Sequence, residues 1–134
     1  MTAKQFLARA YWLDRRIEKK TEEIERMRSR LERITAQITD MPRGGSGGDW
    51  TDLVAKVHER EEAIRGEIAE LVEVKKQIAV AIAAVEEPRY RTLLELRYRS
   101  YLSFERIAVE MNYSWRHVIR LHDEALREVH VPEE

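Results

Sequence analysis

The chain contains no cysteine, three prolines and five glycines among 134 residues. Without cysteine there is neither a disulfide nor a thiolate metal site, a composition that suits a reducing compartment. So little glycine and proline leaves an all-β or loop-rich fold short of turn residues. No apolar run approaches the roughly 20 residues that span a bilayer. The N-terminus, Met1-Thr2-Ala3-Lys4-Gln5-Phe6, lacks the apolar stretch of a secretory signal. A soluble cytoplasmic protein with no membrane partner is expected. What the chain has in excess is charge. Asp, Glu, Lys and Arg make up 37% of it, against roughly 25% in an average soluble protein. The two signs nearly cancel, to a net −1. Long, solvated helices fit that balance, arranged as one domain or two small ones.

Four of the five glycines and one proline fall in Met41-Pro42-Arg43-Gly44-Gly45-Ser46-Gly47-Gly48. That stretch predicts a loop over residues 41–49 between two helices. It lacks the Gly-Lys-Ser/Thr ending of a phosphate-binding loop. On either side, apolar residues recur every seven positions. Ala10, Ile17, Ile24, Leu31 and Ile38 form one row, with Leu13, Met27, Ile34 and Met41 in a second, interrupted by Lys20. Beyond the loop, Val57, Ile64, Leu71, Ile78 and Val85 form a row, with Val54, Ile68 and Ile82 in another, interrupted by Glu61 and Lys75. Alternating steps of three and four define the seam of a helical pair. Two helices of about 35–38 residues, roughly 55 Å each, joined by a short loop are expected to pack antiparallel. Charge agrees: residues 1–43 carry 11 basic and 7 acidic groups, residues 44–87 carry 5 and 10. The run Ile78-Ala79-Val80-Ala81-Ile82-Ala83-Ala84-Val85 is apolar on every side, which predicts burial on every side, beside Phe6, Leu7, Ala10, Tyr11 and Leu13 and under the chain that follows Pro88.

Residues 88–131 read as three helices. The first runs from Pro88 to about Ser100, with Leu93, Leu94, Leu96 and Tyr98 as its apolar groups. Ser103 caps a second, Phe104 to Met111, with Ile107, Ala108 and Met111 inward. Asn112-Tyr113 makes the break, since Asn tolerates the left-handed conformation of a tight turn. Ser114 caps a third helix from Trp115 to about Val129, with Val118, Leu121, Ala125 and Val129 inward. A short helix, a tight turn and a longer Ser-capped helix outline a helix-turn-helix.

The residues Leu94-Glu95-Leu96-Arg97-Tyr98, Leu102-Ser103-Phe104-Glu105-Arg106-Ile107-Ala108, Ser114, Val118, Leu121 and Ala125-Leu126 resemble the C-terminal DNA-binding domain of bacterial sigma factors, their region 4. The resemblance covers about 40 residues without a gap across the turn. The whole chain also resembles small phage and prophage proteins related to late-gene transcription regulators. Asn112-Tyr113 stands where the sigma pattern often has a turn glycine, and Ile119 where it usually has a basic residue. Nothing resembles the sigma region that melts DNA. The resemblance implies an all-α protein: an antiparallel coiled-coil hairpin over 1–87 followed by a sigma region 4-like helix-turn-helix over 88–134. It implies double-stranded DNA as partner, with RNA polymerase and a second copy joined through the hairpin as further candidates. Arg89 and Arg97 map onto positions that tend to reach phosphates.

The residues themselves support DNA. Residues 88–122 carry seven Arg and three Glu, and residues 123–134 carry one Arg against five acids. A positive front precedes a negative tail, and Arg forks suit phosphates and guanine edges. Ser103 and Phe104 open one helix and Ser114, Trp115, Arg116 and His117 the next, where N-termini favour anions. Arg116 and Arg120 lie one turn apart, away from Val118 and Leu121. Trp115 is either a staple packed on the domain or a base contact. His117, His122 and His130 lack zinc spacing, and His58-Glu59 lacks the second histidine of a zinc protease. No nucleophile–base pair and no paired catalytic acids are present, so neither an enzyme nor a cofactor is expected. Asn112-Tyr113-Ser114 matches a glycosylation sequon by chance. Transcriptional regulation is the leading expectation. The alternatives are an interaction or oligomerisation module whose helix-turn-helix binds protein, and a phage DNA-packaging subunit.

Overall fold

A computed structural model describes residues 1–40 and 47–132. Among them there are five helices and no strand: α1 (Ala3–Asp40), α2 (Gly47–Ala83), α3 (Pro88–Tyr98), α4 (Phe104–Met111) and α5 (Trp115–Arg127). None is long and apolar enough to cross a membrane. Of the expected loop 41–49, residues 41–46 lie outside the described residues, as does Met41 of the expected seam. Residues 47–49 are helical, not loop. Glycine is tolerated at a helix start, where the first N–H groups have no partner inside the helix in any case.

By their contacts the residues fall into two compact units. One comprises Met1–Leu13 and Leu71–Glu134, the other Asp14–Glu70. The sequence boundary at residue 87 is not where the contacts divide.

In the unit 14–70, Ile24, Val57 and Ile64 are buried together, with Ile17, Met27 and Leu31 half-buried against them. Lys20 bonds Glu67, Arg60 bonds Glu23, Arg28 lies 2.7 Å from Glu61, and Trp50 Nε1 donates to Thr35 Oγ1 at 3.4 Å. As the α1 partner falls from 35 to 20, its α2 partner rises from 50 to 67. One of the two expected rows is inward at every position: Val57, Ile64, Leu71 and Ile78 in α2, and Val85 just beyond its end, are all buried. The other is not. Val54 is 38% and Ile68 45% exposed, whereas Leu53, Val74 and Ala81 are buried. Over residues 53–74 the second row therefore lies one residue earlier, through 53, 60, 67 and 74, whereas further on Ala81 and, of the expected row, Ile82 are both buried. The shifted row contains two charged residues, Arg60 and Glu67. Those two groups meet Glu23 and Lys20, so the lysine that interrupts the α1 row faces the glutamate that interrupts the α2 row. Glu67 keeps its second carboxylate oxygen buried with no hydrogen-bond partner.

In the other unit, α1 opens with a capping box. Thr2 Oγ1 accepts from the Gln5 N–H at 3.1 Å, and Gln5 Oε1 accepts from the Thr2 N–H at 2.9 Å. Phe6, Leu7, Ala10 and Leu13 are buried. Of the apolar run 78–85, Ile78, Ala81, Ile82 and Val85 are buried, but Val80 is 71% exposed and Ala83 and Ala84 are exposed. Burial on every side is thus corrected to burial of one stripe, spaced three and four apart. The alanines and Val80 are small enough to face water at little cost. Glu87 caps α3 by accepting from the Arg89 N–H at 3.3 Å, with Pro88 in the first turn. Leu93 on α3, Ile107 on α4 and Val118 and Leu121 on α5 form the core of the three short helices.

These burials set the stability of the long helices. Ile64→Ala is expected to cost about 2–4 kcal/mol. Ile68→Ala, one turn on and exposed, is expected to change stability by less than about 0.5 kcal/mol. Urea unfolding of the two variants checks the shifted row. Equal losses would restore Ile68 to the seam.

Candidate nucleic-acid interface

Residues 112–114 join α4 to α5. Asn112 adopts the left-handed region, φ 57 and ψ 44, which Asn tolerates better than other non-glycine residues. Its N–H donates to the Val109 carbonyl at 3.2 Å and the Tyr113 N–H to the Ala108 carbonyl at 3.0 Å. This pair of bonds closes the helix end in a Schellman arrangement. The chain then turns extended at Ser114, whose hydroxyl accepts from the His117 N–H at 3.1 Å. Ser103 does the same for α4, accepting from the Arg106 N–H at 3.2 Å. Both serines thus spend an oxygen on capping, and the other first-turn N–H groups have no partner within their helix.

Tyr113, the residue before the cap, packs against the core that contains Val118. Val118, the fourth residue of α5, belongs to that core, so Tyr113 occupies the staple position before the cap. The staple role left open for Trp115 is therefore held by Tyr113, and Trp115 is 51% exposed. His117 is half-buried with its ring 4.3 Å from that of Tyr113. Val118, Leu121, His122, Ala125 and Val129 make the inner stripe of this segment. Arg116 and Arg120 are consequently on the outer side. Both are exposed, and neither makes a hydrogen bond or ion pair with another described residue.

The other expected contact residues are placed differently. Arg97 is half-buried. Its Nη1 donates to the Leu102 carbonyl at 2.9 Å, and its guanidinium sits 4.1 Å above the Phe104 ring. It ties α3 to the segment leading into α4, where Tyr101 takes a positive φ of 58. Phe104 is half-buried beneath it. Arg89 is exposed, with Nε donating to Glu87 Oε1 at 3.1 Å. That pairing holds the Glu87 carboxyl below, and the Arg89 guanidinium above, its ordinary range. The structure therefore groups Ser114, Trp115, Arg116, His117 and Arg120 on one helix start, and engages Arg97 and Arg89 with protein partners.

Sequence reasoning missed His122. It is buried, its Nε2 lies 2.7 Å from the Tyr98 hydroxyl, and the Phe104 ring meets it edge-on at 4.9 Å. Burial pushes its pKa down to about 4, with Arg97 and Lys4 acting in the same direction and Asp123 opposing. Burial pushes the Tyr98 hydroxyl up to about 12. The only sequence signal was position: residue 122 follows Leu121 and precedes Ala125 by three, inside the apolar stripe. Among the described residues no group of three His, Cys, Asp or Glu is placed to hold a metal.

A family model described as "Protein of unknown function (DUF1492)" matches residues 35–130. No curated protein and no solved structure matches the chain.

The buried imidazole makes stability pH-dependent. Its folded pKa of about 4 lies below the unfolded value of about 6.5. Between those values the unfolded chain binds the extra proton, so stability rises with pH. The contribution is fully present above about 6.5 and is lost as pH falls toward 4. Urea midpoints of the wild type and His122→Gln, measured from pH 7.5 to 4, are expected to converge as pH falls. Parallel curves would show that His122 is not held neutral.

Proposed function

Because the chain belongs to the DUF1492 family, whose description assigns no activity, its function has to be argued from its own residues, and we propose a DNA-binding transcriptional regulator. On this reading α4, the turn 112–114 and α5 act as a helix-turn-helix of the sigma region 4 kind, with α5 as recognition helix. The residues 1–87 act as an antiparallel helical hairpin that joins copies or touches RNA polymerase. The role is non-catalytic, cytoplasmic and of phage origin, in line with the sequence resemblance. Residues 88–134 supply the DNA-binding part.

The observation that carries the reading is the pair Arg116 and Arg120, exposed and without protein partners on the outer face of a Ser-capped helix. Of the other arginines in the three short helices and their ends, Arg89, Arg91, Arg97 and Arg106 find carboxylates or carbonyls, while Arg99 and Arg127 are exposed without a partner among the described residues. Leaving two guanidiniums free beside a helix N-terminus favours an anionic partner. Duplex DNA offers phosphates to both and guanine edges to either. A single domain of this size covers few base pairs, so dimerisation or attachment to polymerase would raise its effective concentration.

Replacing both Arg116 and Arg120 by Ala is expected to weaken duplex binding without lowering helicity. Each phosphate contact removed lowers the salt slope by roughly 0.9. Each base contact removed relaxes sequence preference by roughly 1–3 kcal/mol. Gel shifts at several salt concentrations, with circular dichroism as folding control, measure both. Equal binding by the double variant and the wild type would take α5 out of the interface and favour a protein-binding role.

A further inference from the structure

Resting on that reading, we propose that α5 reads thymine methyl groups in the major groove through Trp115 and Ile119, alongside Arg116 and Arg120. Packing does not explain the exposure of the first turn of α5. Trp115 is 51% exposed although it opens a helix whose staple is already made by Tyr113. Ile119, one turn further on, is only half-buried. Residues four apart share a strip of helix surface, so the two apolar groups make one edge of α5. Arg116 and Arg120, also four apart, make the adjoining edge.

The partner is set by charge. An apolar strip beside two free guanidiniums, in a segment with seven Arg and three Glu over residues 88–122, complements an anion that also carries apolar groups. In the major groove only thymine offers one, its C5 methyl, while guanine offers O6 and N7 to an arginine fork. The strip therefore selects sites in which thymine lies next to guanine. This goes beyond phosphate binding, because it assigns discrimination to two residues that carry no charge.

The test needs no altered protein for its first arm. Duplexes enriched by the full chain from a random pool are remade with deoxyuridine for thymidine, which deletes only the methyl groups. The wild type is expected to bind the uracil duplexes about fourfold less tightly for each methyl contacted, with an unchanged salt slope. Trp115→Ala and Ile119→Ala are expected to narrow the thymine–uracil difference. A shape effect of uracil would instead persist in both variants. Equal affinity of the wild type for the two sets overturns the methyl contact while leaving DNA binding intact. A difference that survives in both variants overturns it as well. Failure to enrich any duplex overturns the DNA-binding reading itself, and the methyl contact with it.

Discussion

The row Val57, Ile64, Leu71, Ile78 and Val85 is the constraint on which the long helices depend. It is buried at every position, and its sevenfold spacing fixes which side of α2 faces away from water. Once that side is fixed, the residues three or four positions away must flank it. Two of these, Arg60 and Glu67, are charged. They are accommodated because Glu23 and Lys20 stand opposite. Half-exposed pairs of this kind contribute little net stability, whereas burying an aliphatic side chain contributes roughly 1.5–3 kcal/mol. Within the unit 14–70, Val57 and Ile64 of the row therefore hold α1 and α2 together with Ile24, and the charges select one alignment. A shift of a single turn would set Lys20 against an apolar group and strand Glu67, whose second oxygen is already unpartnered.

In α3–α5 the corresponding constraint is the left-handed Asn112. Ala108 and Val109 yield their carbonyls to the turn, Tyr113 packs on the core that contains Val118, and Ser114 starts α5 within three residues. Cap, turn and staple agree with one another, the consistency expected of a sequence that specifies a single arrangement. The direction of α5 then follows from its inner stripe, and the outward placement of Arg116 and Arg120 follows from the same stripe.

This part of the fold was the most legible. Ser103, Asn112 and Ser114 are local signals, and the structure starts and ends α4 at Phe104 and Met111, the residues they indicate. What failed were particular decisions that depend on a partner far along the chain. Sevenfold spacing put Val54 and Ile68 in the flanking row of α2, because spacing cannot see that Glu67 meets a lysine 47 residues away. The apolar run 78–85 looked buried all round because side-chain type says nothing of how many neighbours arrive. His122 was considered only for zinc spacing, because its partner, Tyr98, is 24 residues off. The capping box Thr2–Gln5 was readable locally and was passed over.

Counting arginines in the sequence overstates the charge left for a partner. Of the seven in residues 88–122, Arg89 and Arg106 pair with Glu87 and Glu110. Arg91 donates to the Val85 carbonyl and Arg97 to that of Leu102. Arg99, Arg116 and Arg120 remain exposed without a partner among the described residues. Three phosphates neutralised by three free arginines give a salt slope of roughly 2.7, so a fourfold rise in salt would weaken binding roughly fortyfold. On the proposed reading, one such domain cannot hold a site by charge alone at physiological salt. Contacts that do not depend on salt, from apolar groups at the groove or from a second bound element, must carry the remainder.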